Sequence, residues 1–217
     1  MANRPVFVSK TIAPFFDEVN IEFKYYNGFS LSQNRKSINS LHERFNDLYP
    51  DRRVLEISSK SENELGIKLS AFNLALTDEL YGTTTVECAY QGGKIFEYGG
   101  PYLDLLSKTS KEAKKDLRLS QSGSVIGFSM NGRTYIQKDI EVFYSYLYIS
   151  ALRQNTKLAE AIMNYDSFTD IVFSPKKGIS CQARSAAMFV GMKKAGAFEA
   201  YTDSFIMMDN RSESQQR

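Results

Sequence analysis

Apolar residues recur along the chain with a spacing of two in some blocks and of three and four in others, and each change of period marks a new element. Val6 to Ser9 and Ile21 to Tyr26 predict strands, the second from the alternation of Ile21, Phe23 and Tyr25, and Asn27-Gly28 breaks the pattern. Ser37 to Tyr49 predicts a helix with Ile38, Leu41, Phe45 and Leu48 inward, stopped by Pro50. Val54 to Ile57 and Lys68 to Leu76 read as extended. Thr84 to Phe96 predicts a further helix, ended by Gly99-Gly100-Pro101, and short helices follow from Tyr102 to Ser107 and from Ser110 to Leu119. Val125 to Ser129 and Arg133 to Ile136 flank Asn131-Gly132, which predicts a hairpin.

Glu141 to Leu152 is apolar or aromatic on nearly every side, as a central helix would be, and Thr156 opens another with Leu158, Ala161 and Ile162 inward. Tyr165 to Asp170 reads as a loop or short strand. The last helix is expected from Ser180 or Cys181 to Lys194 with Gly196 as its stop, and Ala183, Ser185, Ala186 and Ala187 would let its backbone pack closely. The order of elements indicates a mixed α+β fold, mainly helical, with short peripheral strands. No repeat or low-complexity tract interrupts it.

With 217 residues and 42% hydrophobic content the chain can bury one large core or two small ones, and no linker separates two periodic halves. One domain over residues 1–208 is expected, with 209–217 a polar, flexible tail. No apolar run reaches the roughly 18 residues of a membrane span, and Met1-Ala2-Asn3-Arg4-Pro5 lacks the apolar stretch of a secretory signal. A cytoplasmic protein with no membrane partner is expected.

Cys88 and Cys181, the two cysteines, make neither a disulfide framework nor a four-ligand zinc site and read as buried small apolar groups. His42 is the single histidine; it sits beside the apolar stripe of its helix, where a structural or solvated role is expected. A site built on two imidazoles is therefore excluded, no metal is expected, and acid–base work must fall on carboxylates, lysines or tyrosines. Neither a P-loop nor a dinucleotide-type glycine fingerprint occurs, so no cofactor is expected. The net charge of +2 is too small for a general polyanion binder, yet Lys111, Lys114, Lys115 and Arg118 fall three and four apart. They form either a phosphate-facing edge or a solvated face balanced by Glu112 and Asp116.

The chemically richest stretch is Thr84 to Phe96, where helical pitch stacks Glu87, Gln91, Lys94 and Tyr98 on one side and Val86, Ala89, Tyr90 and Gly93 on the other. One face could be buried while the other carries protons. The competing reading is a capping box in which Glu87 satisfies a backbone N–H beside Thr84.

Three separated motifs, in order, resemble those of the NADAR domain, the YbiA-like superfamily, and most closely its branch associated with DarT-type DNA ADP-ribosylating toxins. Leu69-Ser70-Ala71-Phe72-Asn73-Leu74 resembles the family's Phe-Ser-Asn-Phe-like segment. Glu87 through Phe96 resembles its Glu-His-x-x-Gln-x-x-Lys-Phe-like helix, and Phe168-Thr169-Asp170 its Trp-Gly-Asp-like motif. The branch-level likeness extends through Gly28 to Ile38, so the resemblance implies a NADAR motif core over residues 68–196 with an N-terminal extension over 1–60. Cys88 replaces the usual histidine, Phe168 the tryptophan, and Lys176 to Gln182 the glycine-rich segment before the last helix.

The resemblance implies an N-glycosidic bond hydrolase that removes ADP-ribose from guanine in single-stranded DNA, an antitoxin with a cognate DarT-type toxin as partner. Cleaving an anomeric carbon from an exocyclic amine requires a proton donor and a negative charge near a cationic sugar. Glu87 and Asp170 are the candidates. A second route uses a lysine amine that attacks the ring-opened imine, and Lys36, beside Arg35 near a helix start, ranks above Lys94 for it. Phe29 and Phe168, expected in loops, and Tyr90 are candidates to stack on substrate rings. Ser30, Ser70, Asn73, Gln91 and Gln182 are candidates for hydrogen bonds to ribose or phosphate, and Lys111, Lys114 and Lys115 for guiding DNA. Two other readings stand beside this one: a small-molecule N-glycosidase of amino-sugar phosphates, which would need no cationic edge, and a non-catalytic module that binds ADP-ribose or the toxin.

Overall fold

The computed structural model of the protein describes residues 1–78, 80–130, 132–136, 139–173 and 181–199. The elements that position the site begin with β1 (Ala2–Ser9) and β2 (Phe16–Phe23), an antiparallel pair in register from Ala2 opposite Phe23 to Ser9 opposite Phe16. Helix α1 (Leu31–Leu48) follows, then β3 (Val54–Glu56). β9 (Ser167–Thr169), far along the chain, inserts between β1 and β3, antiparallel to the first and parallel to the second, giving the sheet order β2-β1-β9-β3.

Alternation along β1 explains the two layers on this sheet, because successive side chains point to opposite faces. Val6 and Val8 join Ile21, Phe23 and the α1 residues Ile38, Leu41 and Phe45 in one apolar cluster. Phe7, between them, joins the main core with Leu55 and Phe168. That core is built on α6 (Ile140–Gln154) and α8 (Gln182–Ala195). Helix α6 is buried through Tyr144, Leu147, Tyr148, Ala151 and Leu152, as its all-round apolar pattern predicts. Small residues bring α8 close to its neighbours: Ser145 and Ser185 hydroxyls meet at 3.1 Å, and a Cβ on Gly191 would stand 2.3 Å from the carbonyl oxygen of Phe15. The stop at Gly196 is a left-handed residue, φ 66°, as a helix C-cap favours.

Between these halves lie α2 (Glu64–Lys68), the hairpin β4 (Ala75–Asp78) and β5 (Gly82–Thr85), α3 (Val86–Gly92) and β6 (Lys94–Phe96). A 3-10 turn at Leu103–Ser107, α4 (Ser110–Lys114) and α5 (Arg118–Gln121) lead to the hairpin β7 (Val125–Met130) and β8 (Arg133–Ile136), which completes the sheet β6-β7-β8. Helix α7 (Thr156–Ile162) follows α6. The fold is α+β, and no helix among the described residues is long and apolar enough to cross a membrane.

Four expectations are corrected. The segment Lys68 to Leu76 is extended only from Ala75; before that, Asn63 caps α2 by accepting from Leu65 N–H, and residues 70–73 turn. The helix expected from Thr84 to Phe96 stops at Gly92, since a Cβ on Gly93 would lie 2.6 Å from the carbonyl oxygen of Ser129 and the chain passes into the ladder with β7. Tyr98 therefore leaves the polar stripe and is exposed. Helix α1 starts at Leu31 instead of Ser37 because Ser30 caps it, accepting from Gln33 N–H at 3.3 Å. The helix expected from Ser110 to Leu119 is broken at Asp116, whose carboxylate accepts from Arg118 N–H and opens α5. The tail 209–217, and 174–180 ahead of α8, lie outside the described residues.

Candidate active site

Two segments remote in sequence meet at one cleft of about 600 Å³, whose wall includes Ser58, Lys60, Glu87, Lys114, Tyr144 and Asp170. Glu87 is brought there by the start of α3. Thr85 caps that helix by accepting from Cys88 N–H, and Thr84 donates instead to the carbonyl of Leu106, so Glu87 is not engaged in a capping box. The backbone N–H groups of Val86 and Glu87 donate to Leu74 and Ala71 carbonyls, fixing the helix start to the 69–74 turn.

Glu87 is 5% exposed and Gln91 7%. Gln91 Nε2 donates to Glu87 Oε1 at 2.9 Å, while its Oε1 accepts from Lys94 Nζ at 2.7 Å, an orientation that only one rotation of the amide satisfies. Lys94 also sits 4.1 Å from the centre of the Tyr90 ring. Burial lowers Lys94 to about 8, with Glu87 opposing and Lys114 adding to the shift. On the other side of the carboxylate, Lys114 Nζ stands 3.9 Å from Glu87 Oε1 and 5.1 Å from the Phe72 ring centre.

Asp170 follows β9 directly. Its Oδ1 accepts from the N–H groups of Val172 (3.0 Å) and Phe173 (3.2 Å), and its Oδ2 from Gln182 Nε2 (2.9 Å). Burial, then the nearby Glu56 charge, raise Asp170 from the ordinary 3.8 to about 7, with those hydrogen bonds opposing. Gln182, the first residue of α8, ties three segments together, since it also donates to the Ile57 carbonyl and accepts from Ala71 N–H. Burial first, then the charges of Glu87, Tyr148, Asp170 and Cys181, hold the Tyr144 phenol well above its usual range, so it faces the cleft as a neutral group.

Of the residues singled out from the sequence, Glu87, Asp170, Ser70, Tyr90, Gln91, Gln182 and Lys114 line this cleft. Tyr90 does so from an aromatic cluster, edge-on to Tyr144 at 5.0 Å between ring centres. Lys94 stands behind Gln91. The others go elsewhere. Phe168, expected in a loop, is fully buried in β9 between β1 and β3, where apolar flanks require it. Phe29 is fully exposed ahead of α1, and Ser30 is spent as the cap. Lys36 is exposed on α1 and Arg35 faces Glu62 at 3.9 Å. Asn73 donates to the Ile67 carbonyl at the end of α2. Lys111 and Lys115 are exposed on α4 and its cap, beside Lys114.

The residues not foreseen are Ser58, Lys60 and Tyr144, together with Glu56 behind them. A run of small polar residues with a lysine directly after an apolar strand, Ser58-Ser59-Lys60-Ser61, was the available signal. Cys88, at the position where the family motif has histidine, is buried and its thiol donates to the Lys108 carbonyl, facing away from Glu87's partners. A second cavity, about 450 Å³, lies across α3 against Ala89 and Gly93; among the described residues, Asp78 is the one carboxylate in its lining.

The cleft thus gathers two acids, lysines and a neutral phenol within an α+β fold. The family model described as DarT1-associated NADAR antitoxin matches residues 2–217, and the chain belongs to that family. The family's description associates it with a DarT1 toxin. Comparison with curated proteins returns no match.

Proposed function

We propose that the protein is the glycohydrolase arm of a toxin–antitoxin pair, removing ADP-ribose from the exocyclic amine of guanine in single-stranded DNA. The observation that carries this reading is the convergence of Glu87 and Asp170, 83 positions apart in the chain, on one cleft that also holds Lys60 and Lys114. Asp170, kept protonated near neutrality, gives its proton to the leaving nitrogen as the bond to the anomeric carbon breaks. Glu87 stabilises the positive charge that develops on the sugar and takes a proton from the water that adds there. Water's oxygen ends on the sugar, and guanine leaves with its amine restored. Lys114 holds Glu87 in place and, with Lys60, offers positive charge to the pyrophosphate.

Lys60 takes over the part that the sequence reading gave to Lys36. In that route its amine attacks the ring-opened imine, guanine departs as the amine, and water hydrolyses the resulting Schiff base to regenerate Lys60. The pair of routes is separated by trapping. Borohydride added during turnover of a guanine-linked ADP-ribosylated oligonucleotide should leave a protein–sugar adduct that vanishes in Lys60→Ala and persists in Lys36→Ala if the lysine acts, and no adduct if the carboxylates act alone.

The reading itself is tested by product release from the same oligonucleotide, beside thymine-linked material. Glu87→Gln and Asp170→Asn should each lower turnover by about 10²- to 10⁴-fold with circular dichroism unchanged. Unreduced protection from the toxin in both variants would instead identify a binding module, and activity confined to free amino-sugar phosphates would identify the small-molecule glycosidase.

A further inference from the structure

Behind the cleft lies a third carboxyl group that the two-acid chemistry does not use. Glu56 ends β3, is 2% exposed, and lies opposite Thr169 in the parallel ladder, one residue before Asp170. Everything around it donates. Oε1 receives the Ser58 hydroxyl at 2.7 Å and the Ile171 N–H at 2.9 Å, and Oε2 receives the Thr169 hydroxyl at 2.6 Å. Ser58 Oγ accepts from Lys60 N–H, so its own hydrogen is the one given to Glu56. Thr169 Oγ1 lies 2.8 Å from His42 Nε2, and with the threonine donating to Glu56 the imidazole donates to the threonine as its neutral Nε2–H form. Burial, which lowers His42 to about 4, agrees with that state.

Asp170 is bonded unevenly. Among the described residues, its Oδ1 takes two backbone N–H groups, whereas Oδ2 takes the Gln182 amide alone and keeps a place for a proton. Burial raises both acids, opposed at Glu56 by its three bonds. One buried site shared by two like charges favours one proton between them. The donors around Glu56 decide which acid stays ionised. Successive N–H groups of a single turn also divide between the pair, Ile171 serving Glu56 and the next two serving Asp170.

We infer that Glu56 is a positioning residue of this site, pinning the 170–173 turn from behind the cleft and, by its negative charge, keeping the proton on Asp170. The inference rests on the reading of Asp170 as proton donor. Other groups bear on Asp170 as well. Tyr144 and Tyr148 from α6 and Cys181 ahead of α8 are pushed toward their neutral forms by burial. Glu87 from α3 adds negative charge across the cleft, Lys60 and Lys114 add positive charge, and His42 on α1 reaches Glu56 through Thr169. Among the described acids, Glu56 alone bonds to the turn that carries Asp170.

Glu56→Gln preserves this shape. Its amide oxygen can keep the Ser58 and Ile171 bonds while its NH₂ donates to Thr169, which then donates to the other tautomer of His42. The experiment is a carbon-13 NMR titration of the aspartate side-chain carboxyls in the wild type, Glu56→Gln and Glu56→Asp, with Asp170 assigned by its loss in Asp170→Asn. Asp170 is expected to titrate near 7 in the wild type. In Glu56→Gln its acid constant should rise about tenfold or more, and in Glu56→Asp, which keeps the charge, it should change by less than about threefold. An unchanged midpoint in Glu56→Gln overturns the inference, as does a wild-type midpoint below about 5, which needs no variant to fold. The titration reads the proton whether or not DNA is cleaved. A shifted Asp170 in a protein that releases no ADP-ribose would sink the proposed function and leave the role of Glu56 standing.

Discussion

Replacing Asp170 by asparagine should change how stability depends on pH, in a direction fixed by which state holds the proton. Asp170 moves from 3.8 to about 7 on folding, so between those values the native protein keeps a proton that the unfolded chain has released. Its contribution is complete below 3.8 and is lost as pH rises through 7, at about 1.4 kcal/mol per pH unit, with an upper bound of about 4 kcal/mol over the window. The cleft-facing edge of the carboxyl is open to water, so about half that bound is a reasonable floor, roughly 2 kcal/mol. His42 works the other way. Lowered from 6.5 to about 4 by burial, it stabilises fully above 6.5, and that stabilisation is lost as pH falls through 4. In the wild type the two slopes oppose each other over most of this range. The variant loses the Asp170 slope and keeps those of His42 and of Glu56, which burial also raises, so its stability relative to the wild type should rise by about 2–4 kcal/mol from pH 4 to pH 7. Exposed carboxylates shifted by their own partners, Asp104 and Asp116 by Arg118, Glu64 by Lys68, Glu112 by Thr109, occur in both proteins and cancel in the difference. Because the chain has no tryptophan, urea unfolding is followed by far-ultraviolet circular dichroism at each pH. A difference that stays flat across this range, or falls with rising pH, refutes the assignment of the native proton to Asp170.

Two further substitutions probe the scaffold and the rim. Gly66→Ala places a Cβ 2.0 Å from the backbone oxygen of Glu56 and 2.6 Å from Ser61 Oγ, so α2 must move off β3; a loss of about 1–3 kcal/mol, read as a lower Tm, is expected, and an unchanged Tm would show that the two elements are not in this contact. Lys114→Ala removes the cation beside Glu87 and should lower kcat at least about tenfold, whereas charge reversal of exposed Lys111 and Lys115 should raise KM for the oligonucleotide and weaken its salt dependence. Equal effects of all three on KM alone would place Lys114 on the DNA path and not at the acid.

Periodicity exposed the parts of this fold that depend on near neighbours. The stripe of α1 is written at spacings of three and four, the apolar encirclement of α6 gave its central place directly, and the small residues of α8 with Gly196 as stop marked the last helix. Glu87 and Gln91 were legible for the same reason, one helical turn apart on a short helix. What went unread was decided by local competition that periodicity does not report. Gly92-Gly93 reads equally as helix or stop until the oxygen of Ser129 is beside it. Lys36 and Lys60 occupy similar Ser-rich surroundings, and only the placement of β3 shows that one ends at the cleft while the other is exposed.

The acid pair itself belongs to topology. β9 is three residues long, too short to announce itself, and its flanks Phe7 and Leu55 lie 161 and 113 positions from Phe168. Yet the parallel register that sets Leu55 opposite Phe168 also sets Glu56 opposite Thr169, and the next residue is Asp170. Phe168 thus serves the site by being buried: it anchors the strand whose register brings the two carboxylates together. The aromatic that the family motif places before the acid need not touch substrate to matter, and its replacement by a smaller side chain would first loosen the ladder that couples Glu56 to Asp170. The coupling then predicts an order of failure. Truncation of Phe168 should disturb the titration of Asp170 before it disturbs the position of Glu87, which is held by α3 and the 69–74 turn through contacts that β9 does not supply.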